Sequence, residues 1–175
     1  MKVIFLDIDG VLNTELFINS FFAVCKRIKI LHPEFDIPPQ EVMRDDYGQM
    51  FCPTACNLLN WIVESTQADI VISSTWRHSG LSVMQEMWLK RGLPGRIIDV
   101  TPIRRIRGDG DFKLRAERGN EIKEWLQNNP VDAYCIIDDD NDMLPEQEPY
   151  FIQVDAMYGI TMRAAEKAIA ILTPS

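Results

Sequence analysis

An α/β fold with a central, mostly parallel sheet of about five strands is predicted by three observations. Short apolar runs without polar alternation, such as Val3 to Leu6, Ile70 to Ile72 and Ala133 to Ile137, suit strands buried on both faces. Between them, apolar residues return at helical spacing, so strand and helix alternate as a parallel sheet requires. Carboxylates and hydroxyls gather just after several of the runs, at the edge where open parallel sheets place their ligand crevices.

Taken in order, Val3 to Leu6 forms a strand that stops at Asp7 and Asp9, and Gly10 lets the chain leave in a conformation closed to other side chains. Behind a Thr14 cap, Phe17, Phe21, Val24, Ile28 and Leu31 predict an amphipathic helix over 15–31. Residues 32–51 hold three prolines and no clear period, which predicts a loop with room for a short helix, suited to a lid. Pro53 opens a helix to about Thr66, with Ala55, Leu58, Leu59, Ile62 and Val63 on one face. The strand of Ile70 to Ile72 ends at Ser73, Ser74 and Thr75. A helix near 82–91 turns Leu81, Met84 and Trp88 inward, with Gly92 past its end. A strand near Arg96 to Val100 leads into a loop around GDGD. A helix from about Arg118 to Asn128 follows, marked by Ile122, Trp125 and Leu126. The strand Ala133 to Ile137 runs into Asp138, Asp139, Asp140, Asn141 and Asp142. A fifth strand, 151–154, and a helix to about Ile171 with Ala165, Ala168, Ile169 and Leu172 inward complete the chain.

A chain of 175 residues suits one domain, able to bury roughly 70% of its unfolded surface. No apolar run approaches the ~18 residues that cross a bilayer, and the chain begins in a core strand, so a cytoplasmic protein without membrane contact is expected. Cys25, Cys52, Cys56 and Cys135 sit in three different elements like small hydrophobes. Cys52 and Cys56 have no second cysteine or histidine pair to complete a zinc site. The formal charge, 18 cations less 26 acids, is −8 and opposes broad attraction to nucleic acid. Its distribution is uneven: Arg104, Arg105, Arg107, Lys113, Arg115 and Arg118 outnumber Asp109, Asp111 and Glu117, a local +3 against −11 elsewhere.

Two acidic clusters invite a calcium reading, and both fail it. Asp7-Ile8-Asp9-Gly10 brings its glycine too early, and a loop begun at Asp138 has Met143 where glycine is needed and Pro149 where glutamate is needed. Close carboxylates at one sheet edge repel by about 4 kcal/mol per pair at an effective dielectric of 20, which a bound cation relieves. An all-oxygen donor set favours magnesium.

The run VIFLDIDGVLN resembles the first motif of the haloacid dehalogenase (HAD) superfamily, most of whose members are magnesium-dependent phosphohydrolases. Ser73 or Ser74 resembles the second motif, Arg118 with Lys113 in reserve the third, and Asp138 with Asp139 the fourth. SSTWR, RGNEIKEWL, IIDDDNDM and QVDAMYGIT are similar to the HAD domain of Swiss Army Knife RNA repair proteins and, more distantly, to the phosphatase domain of phage polynucleotide kinase. The resemblance implies a three-layer Rossmann-like HAD fold over 1–175 as a single domain, with 13–52 a small insertion or lid and no large cap. It implies Asp7 as nucleophile, Asp9 as acid and base, and magnesium held by Asp7, the Asp9 carbonyl and Asp138, with Asp139 behind. Ser73 or Ser74 and Arg118 would grip the phosphoryl oxygens, Arg77 would contact phosphate, and Gly10 would line the substrate side.

The expected partner is a phosphorylated small molecule or nucleic-acid end, with no stable protein partner. A phosphotransferase would share the aspartyl-phosphate, and a small-metabolite phosphatase the whole site. A phospho-acceptor signalling module fits less well, since its acidic pair lies on the first strand and nothing in it matches Asp9.

Overall fold

The computed structural model describes residues 1–34, 43–103 and 117–174. Its elements are β1 (Lys2–Leu6), α1 (Glu15–Leu31), β2 (Arg44–Asp45), β3 (Gly48–Gln49), α2 (Pro53–Thr66), β4 (Asp69–Ile72), α3 (Leu81–Lys90), β5 (Ile97–Val100), α4 (Glu117–Asn128), β6 (Ala133–Asp138), β7 (Phe151–Gln153) and α5 (Met162–Leu172). Short 3-10 segments at Thr75–Ser79 and Pro145–Tyr150 follow β4 and precede β7.

The main sheet runs β5-β4-β1-β6-β7, with every pair parallel. This is the expected α/β architecture, and β1 lies at its centre because its residues can be buried on both sides. Ile4 and Leu6 join Ile70, Ile72, Cys135 and Ile137 on one face, under apolar residues of α2, α3 and α5 such as Leu59, Met84 and Ala165. Val3 and Phe5 join Val71 and Ile136 on the other, under Ile122 and Trp125 of α4. Trp125 meets Phe5 edge-on at 5.3 Å and donates its indole hydrogen to Asp99 Oδ2 at 2.7 Å, so its polar atom is satisfied within the apolar layer. Sheet and two helical layers make three layers. Among the described residues no helix is long and apolar enough to cross a membrane.

One expectation is corrected. The described part of 32–51 holds the antiparallel hairpin β2–β3, not only loop. Arg91, just past α3, fastens it with Nε and Nη2 donating to the two Asp45 carboxylate oxygens at 2.8 and 2.6 Å, and Tyr47 donates to Glu86 at 2.9 Å. The helix over 15–31 forms behind its Thr14 cap, but none of its residues is buried; Val24 and Leu31, on its apolar stripe, are each 56% exposed. The Leu12 carbonyl accepts from the Cys52 amide at 2.7 Å, so the segment between them leaves and rejoins the sheet edge at one place.

Candidate active site

Parallel register sets the site. Leu6 pairs with Ile72 on one side and Ile137 on the other, so Asp7, Ser73 and Asp138 arrive level at the carboxyl edge. Backbone pairing continues one step further: Asp7 N–H donates to the Ile137 carbonyl and Ser73 N–H to the Leu6 carbonyl, both at 3.0 Å. Carboxylate oxygens of Asp7, Asp138 and Asp139 all lie within 4.8 Å of one another, the first two residues buried and the third half-buried.

Arg118, in the first turn of α4, places Nη1 2.5 Å from Asp7 Oδ1 and 3.0 Å from Asp138 Oδ2. Its own amide donates to Asp142 Oδ2 at 3.2 Å. The next residue makes that approach possible: a Cβ on Gly119 would lie 2.6 Å from the Leu144 nitrogen and 2.7 Å from Gln147 Oε1. Buried Gln147 donates to the Gly119 carbonyl at 2.8 Å, so the start of α4 is pressed against the loop that follows β6.

The electrostatics follow from dryness. Burial raises the pKa of Asp7, and the Arg118 charge and the hydrogen bonds from Arg118 and Ser74 only partly oppose it. Burial likewise pushes Asp138 up to about 8 against the pull of Arg118, with the Asp7 charge adding to the rise. Asp139 is also raised, by burial first. Burial works against the charge on Arg118, but Asp138 and Asp7 outweigh it and hold its pKa above the ordinary arginine value. Three carboxyls against one guanidinium leave up to two negative charges uncompensated when all are ionised. Asp138 Oδ2 is buried and makes no hydrogen bond despite the guanidinium beside it. An orphaned carboxylate oxygen among other hard oxygen donors fits a divalent cation such as magnesium.

The other side of the site belongs to Asp9, which is exposed. Asn13 Nδ2 donates to its Oδ1 at 2.6 Å, and Trp76 Nε1 donates to both oxygens at 3.1 Å. Gly10, between Asp9 and the apolar Val11 and Leu12, has φ +70°, and a Cβ there would meet Asp139 Oδ2 at 2.5 Å. The turn is sealed from the far end of the chain. Ile160 N–H donates to the Val11 carbonyl at 3.2 Å, and a Cβ on Gly159 would lie 2.2 Å from that carbonyl oxygen.

The two serines divide. The Ser74 hydroxyl accepts from the Trp76 amide at 3.4 Å and acts to lower the Asp7 pKa, whereas the Ser73 hydroxyl is buried without a partner. Arg77 departs from expectation. It is buried, its Nη1 donates to the Ser73 and Ser74 carbonyls at 2.6 and 2.7 Å, and its Nη2 pairs with buried Glu121 of α4 at 2.5 Å. Those groups hold the end of β4 in place of reaching for phosphate.

A comparison with known protein families matches residues 3–165 to the HAD domain in Swiss Army Knife RNA repair proteins. The chain belongs to this family of HAD domains. No curated protein and no solved structure matches it. Within the HAD domain, the structure brings Asp7, Asp138, Asp139, Arg118 and Ser74 together, sets Asp9 and Gly10 beside them, and puts Arg77 behind them. Lys113 and the arginines from Arg104 to Arg115 lie outside the described residues. Sequence reasoning missed Asn13, Trp76, Gly119 and Glu121. Only Trp76 had a signal, an aromatic residue two past a strand-end serine.

Proposed function

We propose that this HAD domain is a magnesium-dependent phosphohydrolase that works through an aspartyl-phosphate, acting on terminal phosphates of nucleotides or nucleic acids. The observation that carries the reading is Asp7 at the end of the central strand, in contact with Arg118 and Ser74 and within 4.8 Å of Asp138 and Asp139. A magnesium ion held by Asp7, the Asp9 carbonyl and Asp138, with Asp139 supporting, would supply positive charge to phosphoryl oxygens.

The Asp7 carboxylate attacks phosphorus, the bond from phosphorus to the ester oxygen breaks, and Asp9 gives its proton to the departing oxygen. Asp9 then takes a proton from water as that water attacks phosphorus, releasing inorganic phosphate and restoring Asp7. Arg118, beside Asp7 and Asp138, grips phosphoryl oxygens, and the Ser74 hydroxyl donates beside it.

A terminal phosphate on a longer molecule is supported by the small size of the 13–52 insertion, which encloses a small ester poorly. It is supported also by the basic segment ending at Arg118 and by the family's occurrence in RNA repair proteins. The test is phosphate release from p-nitrophenyl phosphate, mononucleotides, sugar phosphates and 3′- and 5′-phosphorylated oligonucleotides, with magnesium or with chelator. Asp7→Asn is expected to abolish release without unfolding the chain. Normal turnover by that variant would refute the nucleophile, and a preference for sugar phosphates insensitive to salt would refute the substrate class.

A further inference from the structure

Trp76 of the SSTWR stretch is used by neither the phosphate grip nor the β4 buttress, and its surroundings connect two parts of the fold. Its Nε1 is equidistant from the two Asp9 oxygens, at 3.1 Å, so it restrains rotation of that carboxylate. Asn13 holds Oδ1 a second time, at 2.6 Å, which leaves Oδ2 the less engaged oxygen. The indole is itself held from behind. Phe51 packs on it with ring centroids 5.5 Å apart, and a Cβ on Gly48 of β3 would lie 3.4 Å from its Cη2. Arg91 stacks over Phe51 at 4.4 Å, lies 5.7 Å from the Trp76 ring, and ties Asp45 and the Gly48 carbonyl to the end of α3.

From this geometry we infer that Trp76 is a positioning residue for the proton-transfer carboxyl, and that the β2–β3 hairpin sets it. The inference rests on the proposed role of Asp9. An indole N–H cannot accept or deliver the proton in the reaction; it can only fix where the carboxyl stands. A hydrogen bond to both oxygens keeps Asp9 turned toward the hairpin side until a substrate's ester oxygen competes for it. The hairpin meets the indole at Gly48, and Phe51 two residues past β3 packs on the ring, so a shift of the hairpin moves the donor while leaving Asp7, Asp138 and Arg118 in place. The insertion thereby acts on the proton transfers that Asp9 serves, of which kcat/KM reports the acid step.

That selectivity makes the role measurable. An alkyl phosphate needs its leaving oxygen protonated, whereas p-nitrophenolate departs readily without it. In the full-length protein with magnesium, Trp76→Phe keeps an aromatic ring but loses the donor. It is expected to raise the ratio of kcat/KM on p-nitrophenyl phosphate to that on glycerol 2-phosphate by about tenfold, part of the 10² to 10⁴ that acid catalysis supplies. Asp45→Ala, remote from the carboxylates, is expected to raise the same ratio by about threefold, and it carries the test if Trp76→Phe does not fold. A second measurement needs neither metal nor turnover: the indole N–H signal of Trp76 in the ¹⁵N-labelled protein is expected to move in Asp9→Ala and in Asp45→Ala. An unchanged ratio with equal losses on both esters, or an indole signal that stays put in Asp9→Ala, overturns the inference. A wild-type protein that releases phosphate from neither ester overturns the hydrolase reading instead, and the positioning role with it.

Discussion

Replacing Asp138 by Asn tests the electrostatics of the site without any assay of activity. Asp138 is fully buried at the end of β6, one of its oxygens accepts from the Asp140 amide at 3.0 Å, and the other makes no hydrogen bond. Burial pushes its pKa from the ordinary 3.8 up to about 8. A carboxyl raised in this way keeps its proton in the folded chain while the unfolded chain loses it, so raising the pH favours unfolding. The loss begins above 3.8 and is complete near 8. One proton changes stability by about 1.4 kcal/mol per pH unit, and Arg118 and Asp7 share the titration, so between pH 5 and pH 7 about 2 kcal/mol is at stake. Urea unfolding of the metal-free protein at the two pH values is expected to show wild type losing about that much and Asp138→Asn losing much less. Magnesium should flatten the wild-type curve, since a bound cation makes the ionised form the stable one. A metal-free wild type equally stable at both pH values, or a variant with the same slope, would refute a dry, uncompensated carboxyl at this position.

Magnesium titration separates the two acidic motifs: Asp9→Asn should bind the ion nearly as wild type does and lose turnover, while Asp138→Asn should bind it at least tenfold more weakly. Gly10→Ala combines a φ of +70° with a Cβ 2.5 Å from the Asp139 carboxylate. It is expected to cost about 1 to 2 kcal/mol in thermal unfolding and to lower magnesium affinity, and unchanged values for both would contradict the cradle. The buried Arg77–Glu121 pair should lose about 3 to 5 kcal/mol in Glu121→Leu, and Arg77→Met in the same chain should recover much of it, as measured by urea midpoints. If the single variant costs no more than a surface change, the pair does not hold the end of β4.

The parts of this fold that were legible in the sequence are those whose cause is local. Val3 to Leu6 announced a buried strand because no residue in the run is polar, and the acids after it announced an edge because a strand end cannot keep them inside. The approximate bounds of the five helices among the described residues followed from the spacing of their apolar residues. What spacing could not supply was a partner. The stripe of α1 forms as predicted and still finds nothing to bury it among the described residues. The β2–β3 hairpin has no apolar alternation and depends on Arg91 and Glu86, some 40 residues away in sequence. The same limit applies at the site. Asp7 and Asp138 could be paired because register follows from a parallel sheet. Trp76 with Asp9, and Arg77 with Glu121, are separated by 67 and 44 residues and meet only through side-chain geometry. Ser73 and Ser74 are chemically identical neighbours, and only the turn after β4 decides which hydroxyl faces Asp7.

The pairing of β1 with β6 sets the order in which such a site can come into being during synthesis. Lys2 pairs with Ala133, and the loop after β1 is closed by Gly159 and Ile160. Asp7 thus waits for a strand that follows it by well over a hundred residues before its carboxylate meets that of Asp138. Until then β1 has a free edge and the acids remain in water, far apart and individually ordinary. Contacts of such long range slow folding and expose that edge meanwhile. A nascent chain cut short before β6 would therefore hold a first motif with no conflict of charge to resolve and no reason to bind a cation.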